Sequence, residues 1–279
     1  MLRLLTALCL SLALLSACAD NRRNLAMDVA TNAHLTGAWV PAGSTRLMTW
    51  HRINQPGTDL TVYIEGDGFA YATRDHVSPD PTPRTPMVLR LTAQNPAGNV
   101  AYLARPCMYF DPEHPVSECQ NSLWWTTGRF SEAVVTAMDQ GLDHLKQMAG
   151  APRLHLIGFS GGGAIAALLA ARRPDVASLR TLAGNLDHEA FTRFHQVTPL
   201  MDSLNPLQVA PQLVHMPQIH FIGSEDPIIP AQVTRNFMAA LGDARCAQVI
   251  TVPGVQHDDG WLAVWPKLLD LQPQCTTPR

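Results

Sequence analysis

The chain has 279 residues, 46% of them apolar and 15% charged, with a formal net charge of -3. That length buries one large core and reads as a single domain with small insertions. Lys and Arg are scattered and form no run, which excludes a nucleic-acid-binding surface.

From the N-terminus, Met1-Leu2-Arg3 supplies one positive charge and Leu4 to Leu15 is an apolar run. The run is too short to span a bilayer as a mature helix and reads as a secretory h-region. Leu15-Ser16-Ala17-Cys18 follows and resembles the lipobox of bacterial lipoproteins. The resemblance implies a signal peptide over 1–17, a cut before Cys18 and acylation of that cysteine, which would hold the protein on a membrane surface. An ordinary signal peptide cut near Ala17 or Ala19 stays open. Ala19 follows the cysteine and Asp20 comes second, which by the same resemblance tilts sorting toward the periplasmic face of the outer membrane. Cys9 leaves with the signal and Cys18 takes the lipid, so four cysteines remain: Cys107, Cys119, Cys246 and Cys275. An even number in an exported chain suggests two disulfides. Of three pairings, Cys107–Cys119 with Cys246–Cys275 is preferred, the first closing a Pro-rich loop and the second pinning the tail; four unpaired thiols are the alternative. No C-x-x-C or H-x-x-x-H spacing points to a metal.

Residues 18–43 carry few periodic apolar positions and read as a tether, with the folded domain over 44–279. Strands are expected over Thr45–Arg52 and Asp59–Glu65, split by the turn-like Asn54-Gln55-Pro56-Gly57. The four prolines of Ser78–Pro86 make a loop, Met87–Ala93 a short helix, and Asn99–Ala104 a strand. Residues 105–129 are irregular. Ser131 caps a helix whose apolar face is Val134, Val135, Met138, Leu142 and Leu145. Strands follow at 153–159, 178–183, 218–222 and 248–252, and helices at 162–172, 231–241 and 260–271. This alternation argues for an α/β fold with parallel central strands. The long connection 184–217 is a candidate for a small cap.

Gly158-Phe159-Ser160-Gly161-Gly162 fits G-x-S-x-G and lies between an apolar strand and an alanine-rich helix. That is the setting of a nucleophile elbow, where glycines two before and two after the serine let backbones approach closely. The Gly161 N–H at the helix start is placed to stabilise an oxyanion. No Gly-Lys-Ser/Thr follows, which disfavours a phosphate loop.

Here the sequence resembles the α/β-hydrolase fold superfamily over about Thr45 to Leu271. The resemblance implies a mostly parallel sheet with helices on both faces, no cofactor, and an acid and a histidine in the order Ser, Asp, His. Gly223-Ser224-Glu225-Asp226-Pro227-Ile228-Ile229-Pro230 follows a strand and matches the superfamily's acid loop at Asp226, with Asp187 and then Glu225 as competitors. His257, in the loop after the last strand, is the candidate base. The second oxyanion donor maps to Asp67 or Gly68, in the loop after an early strand. Family members usually show His-Gly where this chain has Glu65-Gly66. A carboxylate there opposes the developing charge, so Asp67 is expected to turn away or pair with a cation such as Arg74 or Arg105. Trp124 and Trp125 plug the core or line the pocket.

The reading is an exported, lipid-anchored serine hydrolase acting on a small-molecule or lipid-like ester, with Ser160, Asp226 and His257 carrying the chemistry. The rivals are a thioesterase, amidase or envelope acyl-group hydrolase on the same residues, and a catalytically silent envelope lipoprotein.

Overall fold

The structure is a computed structural model that describes residues 21–109, 115–242 and 244–276. The signal segment 1–17 and Cys18 lie outside the described residues. Eight strands form one sheet: β1 (Thr36–Ala42), β2 (Thr45–Ile53), β3 (Leu60–Ile64), β6 (Asn99–Leu103), β7 (Leu154–Phe159), β8 (Val176–Leu182), β9 (Gln218–Gly223) and β10 (Ala247–Val252). Their order is β1-β2-β6-β3-β7-β8-β9-β10. The pairs β1–β2 and β2–β6 are antiparallel, and every pair from β6 to β10 is parallel. The remaining strands, β4 (Tyr71–Thr73) and β5 (His76–Val77), make a separate hairpin.

Helices cover both faces. Ile64 of β3 is registered with Leu103 of β6, and Tyr63 with Tyr102, so the two pairs point to opposite sides. On one side, Leu47 and Leu103 close on Gly141 of α3 (Glu132–Ala149), where an added Cβ would lie 2.7 Å from Leu47. On the other, the Tyr63 hydroxyl accepts from Trp265 of α8 (Trp261–Leu269) and from Asn95, just after α2 (Met87–Gln94). The central helix α4 (Gly161–Arg172) is buried almost all round, which its run of Gly, Ala and Leu permits. Ser131 caps α3 by accepting from the Val134 N–H, and Gly150 ends that helix in the left-handed region.

Residues 184–217 carry α5 (His188–His195), α6 (Pro206–Val209) and a 3-10 turn at Ala210–Leu213. After them comes α7 (Ala231–Leu241). Both disulfides are present as Cys107–Cys119 and Cys246–Cys275. Trp125 is buried, and its indole N–H donates to the Ser78 carbonyl, so it braces the proline-rich loop.

The tether expected over 18–43 is corrected by the structure. Residues 21–32 form helix α1, and β1 follows as an edge strand in full register with β2. The apolar signal is weak because alanines make the contact: Ala26 is 0% and Ala30 2% exposed. Small residues let a helix approach closely without a conspicuous hydrophobic run. Replacing Ala26 by Asp should therefore cost about 3–5 kcal/mol of unfolding free energy, as an unpaired buried charge does. A solvated tether would absorb the change within about 0.5 kcal/mol, so denaturant unfolding separates the two.

Candidate active site

Ser160 sits between the end of β7 and the start of α4 with φ +52° and ψ -120°. A non-glycine residue rarely holds that backbone unless its surroundings over-determine it. Here three hydrogen bonds do so: Ser160 N–H donates to Leu182 O (2.9 Å), and Ser160 O accepts from Gly163 N–H (3.0 Å) and Asn185 N–H (2.9 Å). The close approaches expected of the flanking glycines are real. A Cβ on Gly158 would lie 2.3 Å from Gly162 O, and one on Gly162 would lie 2.3 Å from Ile64 O. Both contacts are with backbone that cannot yield.

Three loops at the C-terminal edge of the sheet bring Ser160, His257 and Asp226 together. His257 Nε2 lies 3.1 Å from Ser160 Oγ, and His257 Nδ1 lies 2.9 Å from Asp226 Oδ2. With Nδ1 as the donor to Asp226, Nε2 is the acceptor facing the serine hydroxyl. The imidazole is held by its neighbours: Trp261 donates to the His257 carbonyl (2.7 Å), and the Phe159 ring packs 5.0 Å away. The Asp226 side chain is 2% exposed and takes two further bonds at Oδ1, from the N–H groups of Ile228 and Ile229. Burial works against its charge, but the His257 bond and these two N–H groups overcome it and hold the carboxyl below the usual range.

Asp187 is not part of this chain of bonds. It caps α5, accepting from Ala190 N–H and Asn205 at Oδ1 and from Asn236 at Oδ2. Glu225 is exposed to solvent.

The loop after β3 runs beside Ser160, with Gly66 close to the Phe159 carbonyl and Ser160 Cβ. Within 66–69 the Gly66 N–H donates to Glu65 Oε1 (2.9 Å) and the Phe69 N–H to Pro81 O (2.9 Å). Asp67 and Gly68 are left with N–H groups that have no acceptor among the described residues, and so is Gly161. Gly68 has φ +61°, and a Cβ there would strike Pro81 O at 2.1 Å. The Asp67 carboxylate lies directly over Gly161, where an added Cβ would sit 2.0 Å from Oδ1. Its other oxygen, Oδ2, pairs with Arg129 (2.7 Å), and Oδ1 itself is 3.5 Å from Arg105. Arg74, the other cation considered, instead donates to the carbonyls of His195 and Gln196. Arg129 carries no local motif; it reaches Asp67 because the residues just before α3 lie against the β3 loop.

The model of the family described as serine hydrolase (FSH1) matches residues 103–257, more than half of the chain. The chain belongs to that family. Among solved structures, this serine hydrolase is similar to Est1E from Butyrivibrio proteoclasticus, at 14% identity and TM-score 0.57, covering 84% of this chain and 98% of that one. It is similar to an esterase of Pyrococcus furiosus, Pf2001, at 13% identity and TM-score 0.57, covering 84% and 87%. A structure of a bacterial membrane phospholipase A aligns over 97% of this chain and 98% of its own, at 18% identity and TM-score 0.55. At such identities these likenesses are of fold. No curated protein matches the chain.

Glu65 stands where the superfamily resemblance leads one to expect the histidine of His-Gly. It is buried, with Oε1 on the Gly66 N–H and Oε2 on the Tyr102 hydroxyl (2.9 Å). Burial dominates and pushes its pKa up to about 7, against the pull of Gly66, Tyr102 and Arg105. The folded protein thus holds this proton more tightly than the unfolded chain does. The contribution is fully present below pH 4.5 and is lost as pH rises toward about 7. Across that window the wild-type chain should lose on the order of 3 kcal/mol more unfolding free energy than Glu65→Gln. Denaturant unfolding of both proteins at several pH values checks this, since all other groups titrate alike in the pair.

Proposed function

We propose that the protein is an exported, lipid-anchored hydrolase that cleaves a carboxylic ester through Ser160, His257 and Asp226. The observation that carries this reading is the pair of hydrogen bonds from Ser160 Oγ to His257 Nε2 and from His257 Nδ1 to Asp226 Oδ2. They supply a nucleophile, a base and an orienting acid within direct contact. As Ser160 Oγ attacks the ester carbonyl, His257 takes its proton and the Asp226 carboxylate stabilises the resulting imidazolium. The N–H groups of Gly161 and Asp67 receive the oxyanion. His257 then passes the proton to the departing alkoxide, leaving an acyl group on Ser160. Water, deprotonated by His257, releases the acid and restores the serine.

The Asp67 carboxylate beside this oxyanion site would raise the barrier if it stood alone. Its ion pairs with Arg129 and Arg105 set two positive charges against one negative, so the carboxylate no longer opposes the N–H dipoles. Export rests on the leader-like residues 1–17 and the lipobox ending at Cys18, with acylation at Cys18 as the anchor. Two disulfides in a chain of this size agree with an oxidising compartment.

A fluorophosphonate probe should label the wild-type chain and leave Ser160→Ala unlabelled, with ester hydrolysis lost in the same variant. Labelling of Ser160→Ala, or none of folded wild-type chain, would sink the reading. Asp226→Asn should lower kcat on a p-nitrophenyl ester by about 10⁴, because the imidazole loses its orienting acceptor. Asp187→Asn should keep kcat, since that side chain caps α5 and bonds Asn205 and Asn236 without touching His257. The reverse ranking would show that Asp187 supplies the acid.

A further inference from the structure

We infer that the mouth of this site faces the membrane carrying the Cys18 anchor, and that its substrate class is an ester-linked lipid resident in that bilayer. The inference rests on the hydrolase and anchoring reading above and adds a direction to it.

Helix α1 supplies the geometry. Its described N-terminal end lies at the catalytic edge of the sheet: Arg22 donates to the carbonyls of Asp80 (3.2 Å) and Thr82 (3.1 Å) and reaches Asp80 Oδ2 (3.5 Å). The same guanidinium stands over the Phe69 ring, 4.8 Å from its centroid. Phe69 is two residues beyond Asp67, in the loop that leaves β3 beside Ser160. Just after its last turn, the Ala33 carbonyl accepts from Arg52, which is registered opposite Val100 near the start of β6. That is the opposite edge. The twelve described helical residues span about 18 Å, so α1 crosses the sheet from one edge to the other.

Cys18 is four residues before Arg22, and four residues extend at most about 14 Å. An acyl anchor at Cys18 therefore holds the β3 loop within a short reach of the bilayer, with the opposite edge farther away. A tether leaving from the end of α1 would have given the reverse orientation.

The surface at that edge suits an apolar medium. Phe194 is 60% exposed and Met201 83%, and Val197 and Ile228 are also exposed. Phe194 is on the last turn of α5, and the others are on the loops that follow α5 and β9. His195 contacts the Ile228 carbonyl (2.6 Å), joining the end of α5 to the Asp226 loop. Arg74 joins the β4–β5 hairpin to the same end of α5. Residues 202–203 hold the Thr127–Phe130 segment through Asp202 and Ser203, next to Arg129. Large exposed apolar side chains gathered at one rim mark an interaction surface. Inserted at the headgroup level, they would draw an acyl ester from the bilayer into Ser160 without its passing through water.

The test uses the full lipidated chain on phosphatidylcholine–phosphatidylglycerol vesicles. In the Ser160→Ala background, amide exchange should slow on binding in 74–77, 194–201 and 226–229 and stay unchanged in 54–58 and 173–175. Protection of the second set, or of neither, overturns the orientation. Rim protection that grows with protein concentration without vesicles points to a second copy and also overturns it. With the active chain, the double variant Phe194→Asp, Met201→Asp should cut hydrolysis of vesicle phospholipid esters by about tenfold or more. It should leave hydrolysis of p-nitrophenyl acetate unchanged. Equal loss on both substrates, or loss on neither, overturns the proposal. A wild-type chain inactive on p-nitrophenyl acetate instead refutes the hydrolase reading. An unacylated Cys18 in the mass of the N-terminal peptide refutes the anchor, and the orientation with it.

Discussion

The left-handed backbone of Ser160 is the constraint around which the molecule is arranged. A side chain at φ +52° costs about 1–3 kcal/mol and persists only where neighbours leave no alternative. Those neighbours come from β8 through Leu182, from α4 through Gly163, and from the segment after β8 through Asn185. The strain is therefore shared between the sheet and two connections. Gly158 and Gly162 permit it, because α4 starts so close to β3 and β7 that no Cβ fits between. Burial of α4 and of the central strands offsets the cost many times over.

The same close approach puts charge beside the nucleophile. Asp67 lies over Gly161 because nothing but a hydrogen occupies that side of the Gly161 Cα. A carboxylate there must be neutralised, and two nearly buried arginines face it. Arg105 is itself anchored by the Arg129 carbonyl, and burial lowers its pKa to about 10, so it stays charged at neutral pH. Glu65, next in the network, is held part-way between its two protonation states at neutral pH. With Asp67 ionised and Glu65 only part-ionised, the two arginines leave the group net positive. A buried cluster of this kind is tolerable only when each member has a partner.

Strand β1 extends the sheet on the side away from β10, and Arg22 ties helix α1 to the proline-rich loop behind Asp67. The N-terminal part of the domain thereby buttresses the loop that supplies an N–H to the proposed oxyanion site. In the proposed reading, anchor and chemistry sit at the same edge of the sheet, and one helix links them mechanically.

Most of the α/β alternation was legible in the sequence because buried central strands and their helices carry strong apolar periodicity. Ala231–Leu241 is such a case, with the same bounds in the structure. The elbow was legible for a local reason too, since a strained turn with close backbone contacts admits glycine almost alone. Three features were not. Helix α1 hides behind alanine contacts, the β4–β5 hairpin is too short for a pattern, and Arg129 has no neighbour in sequence that marks it. Whether Asp226 or Asp187 faces the histidine was also beyond sequence order, as both follow a strand. The sequence by itself determined the short-range chemistry: the serine on its turn, the glycines beside it and the alternation of elements, all set by sterics and periodicity along the chain. Only the tertiary structure decided which acid meets His257, which arginines pair with Asp67 and which edge Arg22 of α1 meets, because those depend on distances between segments far apart in sequence.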